Sequence, residues 1–292
     1  MYAVTLLCDA AKPTLDHALV TSLRNAWGGG EINWLAVDEA ATFDVPQRSD
    51  NMPEVWASCQ AQGVDLIVMP AESRRKKMLI ADMDSTMIEQ ECIDELADEA
   101  GVGARVAEIT AKAMNGELDF EGAIDARVGL LAGLSETVIP QVIAERITLM
   151  PGGATLLRTM RAQGAYAALV SGGFTAFTAR VAETLGFQEN RANTLEIADG
   201  KLTGKVVRPI LGQDAKLEAL HEITAKLGIA PADVIAVGDG MNDLLMLENA
   251  GVGVALHGKP ALQAKVDVRV NFGDLTALLY LQGYAKTDFV TA

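Results

Sequence analysis

Met78-Leu79-Ile80-Ala81-Asp82-Met83-Asp84-Ser85-Thr86 is the stretch on which the fold turns. Four consecutive apolar residues without polar alternation predict a strand buried on both faces, as in a parallel sheet covered by helices. Asp82 and Asp84 follow at once. On an extended chain, residues two apart point to the same side, so both carboxylates are expected to leave the strand end together. Side by side they repel, and a cation is expected close by. Taken alone, the string also fits a strand end with a polar turn and an Asp as helix cap.

The same texture recurs downstream. Apolar runs at Ala165–Val170, Val234–Val237 and Val252–Ala255 alternate with helical periodicity. This predicts a parallel sheet with ligands bound at the carboxyl ends of its strands. Ser171-Gly172-Gly173 follows one run, and a hydroxyl followed by glycines can cradle a phosphate. Gly238-Asp239-Gly240-Met241-Asn242-Asp243 follows another, with hard oxygen ligands of the kind that suit Mg²⁺. Lys216 lies early in a predicted helix, where the dipole disfavours a cation. Singly these are a tight turn, an acidic turn and a solvated lysine. Together they converge on one sheet edge. His17, His221 and His257 lie in no comparable loop and read as structural or surface residues, which leaves no serine-hydrolase triad.

About 80 residues of mostly helical signal separate the first two apolar runs, far more than an ordinary crossover needs. Candidate helices at Glu89–Ala100, Ala104–Asn115, Asp119–Leu131 and Ser135–Arg146 predict an inserted cap over about 88–148. Residues 85–150 carry 13 acids and 4 bases, so a single arginine such as Arg127 stands out. Residues 194–206 alternate around Asp199-Gly200, a hairpin signature.

Residues 1–70 read as a small α/β unit: strand Tyr2–Cys8, helix Thr14–Trp27, strand Ile32–Val37, helix Pro53–Gln62 and strand Asp65–Met69. Residues 71–77, with Ser73-Arg74-Arg75-Lys76-Lys77, read as a solvated linker to a second domain over 78–292. A net charge of −15 argues against nucleic acid and anionic membrane as partners. No apolar run approaches the length of a membrane helix, and the start lacks the basic residues of a secretory signal. Cys8, Cys59 and Cys92 show neither metal nor disulfide spacing, which predicts reduced thiols in a cytoplasmic protein.

In order and spacing, Asp82–Thr86, Ser171-Gly172, Lys216 and Gly238–Asp243 resemble the four motifs of the haloacid dehalogenase-like phosphohydrolases. The longer run from Asp82 to Ala97, with Phe120, Arg127-Val128-Gly129-Leu130-Leu131, Met150-Pro151-Gly152 and Ser171-Gly172-Gly173-Phe174, resembles the phosphoserine phosphatase branch. Residues 1–70 look like the degenerate ACT-like extension of bacterial members. The resemblance implies an α/β protein: a Rossmann-like parallel sheet with an inserted helical cap and a small N-terminal ACT-like domain. It implies Mg²⁺-dependent hydrolysis of O-phosphoserine to serine and phosphate through an aspartyl-phosphate, the last step of L-serine biosynthesis.

The resemblance also implies roles. Asp82 is the nucleophile and Asp84 the general acid and base. The metal lies on Asp82, Asp239, Asp243 and the backbone carbonyl of Asp84. Ser171, Gly172 and Lys216 hold phosphate, and Asn242 orients substrate or Asp239. Glu91 takes the substrate ammonium and Arg127 its carboxylate, while Met114 and Phe120 form an apolar lid. Two alternatives are a related phospho-amino-acid phosphatase and a phosphoserine:homoserine phosphotransferase. An amino-acid sensor that lost catalysis would have no need of both Asp82 and Asp84. The expected partner is a small molecule, with a homodimer left in play. Since every cluster lies after Lys77, residues 1–70 are expected to be dispensable for catalysis.

Overall fold

The computed structural model describes residues 1–114 and 117–291, the Met114 side chain excepted. Strands β1 (Tyr2–Leu7), β2 (Asn33–Ala36), β3 (Ala40–Val45) and β4 (Asp65–Pro70) form an antiparallel sheet in the order β2-β3-β1-β4. The period-2 alternation of β1 divides its side chains between two cores. Val4 and Leu6 pack with Val20 and Leu23 of α1 (His17–Ala26) and Cys59 of α2 (Met52–Gln60). Leu7 joins the core of the rest of the chain, with Ile67 and Met69 of β4. Sequence reading overlooked β3. Its alanines have weak strand propensity, and it is joined to β2 by a turn in which Asp38 takes φ 60°.

The second sheet contains β5 (Met78–Ala81), β6 (Tyr166–Phe174) and β7 (Glu189–Asn193). The hairpin β8 (Leu195–Ala198) and β9 (Lys201–Val206) follows, and β10 (Val234–Gly238), β11 (Val252–Leu256) and β12 (Val268–Val270) complete the sheet. Its order is β12-β11-β10-β5-β6-β7, with every pairing parallel. The apolar runs read in the sequence are its inner strands, and their residues alternate between two faces. Met78 and Ile80 face one cluster with Ala219 and Ile223, whereas Leu79 and Ala81 face another with Leu157 and Phe177. The overlooked edge strands are the polar β7 (Glu-Asn-Arg-Ala-Asn) and the three-residue β12. Neither needs a continuous apolar run, because an edge is covered less completely.

The cap leaves the sheet after β5 and returns before α7 (Gly153–Ala162). It consists of α3 (Cys92–Glu99), α4 (Gly103–Met114), α5 (Phe120–Gly129) and α6 (Val138–Glu145). Its two stems are joined: Ile88 bridges Leu149, and the Glu89 N–H donates to Thr148 O at 3.0 Å. The β8–β9 hairpin grips the cap from the side, Leu202 exchanging backbone hydrogen bonds with Gly133 and Leu134 at 2.8 and 2.9 Å. Helices α8 (Thr175–Leu185), α9 (Gln213–Leu227) and α10 (Leu244–Asn249) complete the layers over the sheet, with α11 (Pro260–Gln263) and α12 (Ala277–Leu281).

Within the basic run Ser73, Arg75 and Lys77 are exposed, as a solvated linker predicts, but Arg74 and Lys76 are partly buried. Arg74 donates to Leu281 O at 2.9 Å, to Tyr280 O at 3.2 Å and to Thr5 Oγ1 at 3.2 Å, so one guanidinium joins both sheets' surroundings. Arg75 stacks 4.2 Å from the Tyr284 ring centroid, and Lys76 Nζ donates to Ala232 O at 2.8 Å.

Candidate active site

Strand β5 lies between β6 and β10, where the chain's progress across the sheet reverses direction, and the crevice beyond its carboxyl end is open to ligands. Asp82 is the first residue past β5. Its N–H donates to Val237 O at 3.0 Å, which extends the ladder and pins the backbone. Its Oδ1 accepts from the Met83 N–H at 2.7 Å, and its Oδ2 lies 2.6 Å from Lys216 Nζ and 3.3 Å from Asn242 Nδ2.

Lys216 is 2% exposed and also reaches Asp243 Oδ1 at 2.6 Å. Burial pulls its pKa down, but the Asp243 and Asp82 carboxylates outweigh that and hold it above the usual lysine range, so the amine stays charged. The other oxygen of Asp243 accepts the Asp239 and Gly240 N–H groups, each at 3.1 Å. Burial and the charge of Asp82 push Asp243 up, against Lys216 and the Gly240 N–H.

Asp84 has a different environment. Its Oδ1 accepts from the Cys92 N–H at the start of α3, at 3.0 Å. Burial first, then the charge of Glu91, push its carboxyl up to about 7, against the pull of that N–H. A carboxyl raised in this direction suits a proton donor near neutral pH. Asp82 and Asp84 line one cavity, as expected of residues two apart at a strand end, but each finds its own partners, and the chain turns away at Ser85 with φ 52°. A Cβ at Gly173 would lie 2.5 Å from Asp84 Oδ2, so only glycine permits this approach. Ser171 Oγ accepts from the Gly173 N–H at 2.8 Å.

Asp82, Asp239 and Asp243 each offer a buried carboxylate oxygen, all within 4.8 Å of one another. Hard oxygen donors at this spacing fit Mg²⁺. Burial pushes Asp239 up as well, with Lys259 opposing, and a divalent cation would relieve the cost of ionising the group. All three carboxylates have protein donors on both oxygens, and a metal would share them. The Asp84 carboxyl stands outside this cluster, so any share it has in a metal site falls to its backbone carbonyl.

Asp82, Ser171, Asp239 and Asn242 line the floor of a cavity of about 380 Å³, roofed by Glu91, Asp94, Phe120 and Arg127 of the cap. Arg127 Nε donates to Ala123 O at 3.2 Å. Among the described residues no carboxylate comes within 4.0 Å of its guanidinium, although it stands in the most acidic part of the chain. Burial lowers its pKa, while Asp94, Glu91 and Asp84 act through space to raise it. Glu91 Oε1 accepts from Ser85 Oγ at 2.9 Å and pairs with Lys259 Nζ at 3.3 Å. Phe120 packs toward Gly172, whose Cβ would sit 3.3 Å from its ring. The Met114 side chain, expected in the lid, lies outside the described residues.

Sequence reasoning overlooked Lys259 and gave no role to Asp94 or to Thr86, whose Oγ1 donates to Asp239 Oδ1 at 3.4 Å. Lys259 was findable, because Gly258-Lys259-Pro260 closely follows β11, and loops after parallel strands are where the other residues were sought. His257 directly follows β11 too, against the expectation that no histidine occupies such a loop. Its Nε2 is tied to Gly273 O at 2.9 Å.

The model of the haloacid dehalogenase-like hydrolase family matches residues 79–248, more than half of the chain. A phosphoserine phosphatase of Streptomyces coelicolor is 43% identical over 234 residues, covering 80% of this chain and 57% of the relative, so the chain spans little more than half of that protein. A HAD-family hydrolase of Salmonella enterica serovar Typhi superposes with a TM-score of 0.86 at 31% identity, covering 96% of this chain and 98% of its own. A phosphoserine phosphatase solved as a phospho-aspartyl intermediate analogue superposes with a TM-score of 0.66 at 40% identity, covering 70% of this chain and 98% of its own. The chain belongs to the haloacid dehalogenase-like hydrolase family.

Proposed function

We propose that the protein is a Mg²⁺-dependent phosphoserine phosphatase that releases serine and phosphate through an aspartyl-phosphate on Asp82. One observation carries the substrate assignment. Arg127, which has no carboxylate partner among the described residues, and the anion Glu91 face one cavity with Asp82. An amino-acid phosphate presents a carboxylate and an ammonium, and this pair complements both. A sugar phosphate would leave both charges facing hydroxyl groups. The solved relative with a phospho-aspartyl analogue, 40% identical, supports the covalent route.

In the first step an Asp82 oxygen attacks phosphorus while the bond from phosphorus to the seryl oxygen breaks. Asp84, its carboxyl raised to about 7, gives its proton to that oxygen. Water then attacks the phosphoryl group, passes a proton back to Asp84, and phosphate leaves with Asp82 regenerated. Lys216 keeps a fixed positive charge against Asp82, and Ser171 and Gly172 offer a hydroxyl and an N–H to phosphate oxygens. Asp82, Asp239 and Asp243 would hold Mg²⁺. The ion would supply charge that offsets anion–anion repulsion. Asn242, 3.3 Å from Asp82 Oδ2, orients the nucleophile. Phe120 covers the site from the cap.

Among the described residues no helix is long and apolar enough to cross a membrane. All three cysteines are free and buried, which supports a reducing, cytoplasmic setting and a place in serine synthesis. The test is a panel of phosphomonoesters with and without Mg²⁺, measuring free phosphate. O-phosphoserine should be the best substrate, with water as sufficient acceptor. A preference for glucose phosphate would overturn the substrate assignment, and a requirement for an amino-acid hydroxyl as acceptor would make the protein a transferase.

A further inference from the structure

Lys259 touches two acids with separate tasks. Its Nζ lies 3.0 Å from Asp239 Oδ2 on the floor and 3.3 Å from Glu91 Oε1 of the cap side. Its own backbone N–H donates to Asp239 O at 2.8 Å, which fixes the root of the side chain beside the site. The stem is half exposed, in contrast to the buried Lys216 locked between Asp82 and Asp243. An amine on such a stem can swing into water without breaking the fold. Asp239 faces the metal and Glu91 the substrate ammonium in the function proposed above, and the inference rests on that reading.

We infer that Lys259 is a placeholder cation that also sets specificity. In the free protein it neutralises the metal-facing and the ammonium-facing carboxylate at once, and it yields each when the proper cation arrives. Without it, Asp82, Asp239, Asp243 and Glu91 would repel one another around the cavity, with Lys216 left to offset the floor and Arg127 the cap side. The cost is competition. A divalent ion must take Asp239 from Lys259, and a substrate ammonium meets a Glu91 already partly satisfied. Lys259 thus tempers affinity for metal and narrows the advantage of ammonium-bearing over ammonium-lacking phosphate esters.

Calorimetric titration of Mg²⁺ into the substrate-free protein tests this without turnover. Lys259→Met should bind Mg²⁺ about two- to fivefold more tightly than wild type, the scale of a half-exposed ion pair. Lys259→Arg, which keeps the charge, should stay close to wild type. Loss of structure cannot produce a tighter site, and Lys259→Gln should reproduce the direction if the methionine variant folds poorly. The ratio of kcat/KM for O-phosphoserine to that for phosphoglycolate, which lacks the amine, should rise by a similar factor in Lys259→Met. Unchanged Mg²⁺ affinity or an unchanged ratio in a folded variant would overturn the placeholder while leaving the proposed function standing. Failure of wild type to bind Mg²⁺ at all would overturn the metal site and the placeholder together.

Discussion

The Asp65 carboxylate accepts the Phe272 N–H at 2.9 Å, across the junction between the N-terminal sheet and the catalytic sheet. The neighbouring Asn271 and Gly273 N–H groups bind the same carboxylate at 2.9 and 3.0 Å. Three successive N–H groups form an anion-binding concavity, and Asp65 from β4 fills it. Gly273 O in turn accepts from His257 Nε2, two residues before Lys259. The N-terminal unit thereby braces a loop at the catalytic edge. Leu7, Ile67 and Met69 are buried in one continuous core with Leu278 and Tyr280, and Tyr280 donates to the buried Glu39 at 2.6 Å. These contacts give residues 1–70 a structural task that the sequence-based expectation of dispensability leaves out.

Asp65→Asn keeps the shape but replaces one acceptor oxygen by a donor that cannot face an N–H. We expect a loss of about 1–3 kcal/mol, the cost of a buried unsatisfied donor, read as a lower Tm. Deleting residues 1–70 should be far worse and give aggregated protein, because it exposes the shared core. A monodisperse, fully active truncated chain would refute the bracing role.

Lys216→Met leaves Asp82 and Asp243 buried without their common counter-charge. Removing one partner of a buried ion pair typically costs about 3–5 kcal/mol, so the Tm in the presence of a chelator should fall steeply. Excess Mg²⁺ should restore part of the loss by taking over as counter-ion. An equal drop with and without Mg²⁺ would show that the metal does not share these carboxylates.

Asp82 and Asp84 should fail in different ways. Asp82→Asn should abolish turnover and leave no phosphorylated protein after acid quenching, since a neutral amide is a poor nucleophile. Asp84→Asn keeps the nucleophile but loses the proton donor and the base, so both steps should slow by ~10²–10⁴-fold. Intact-mass spectrometry of quenched samples distinguishes the two.

Arg127→Ala should lower kcat/KM for O-phosphoserine by roughly 2–5 kcal/mol, as for a desolvated charge pair. Phosphoethanolamine, which has no carboxylate, should be nearly unaffected. Comparing the two substrates on one variant cancels any general damage to the cap. Equal losses would mean that Arg127 holds phosphate or cap structure instead.

How much was legible follows from where each feature is encoded. The inner strands β5, β6, β10 and β11 are contiguous apolar runs because a strand covered on both faces needs every residue apolar. The cap announces itself by length, and the chemistry-bearing loops by following those runs directly. Residues next to one another in the chain carry all of this. The edge strands β7 and β12 escape because partial cover relaxes the pattern. Arg74, Asp65 and Lys259 escape for another reason. Each acts on partners far away in sequence: Arg74 on Tyr280 and Leu281, Asp65 on residues 271–273, and Lys259 on Glu91. An isolated charge in a sequence is indistinguishable from a solvated one. The same holds for Asp84, whose raised pKa depends on burial and on the distance to Glu91. Residue types and local order therefore determined the sheet, the cap and the set of reactive groups. Only the tertiary structure decided which charge faces which and how far each stands from water, because Coulomb and desolvation energies depend on distance in space and not on distance along the chain.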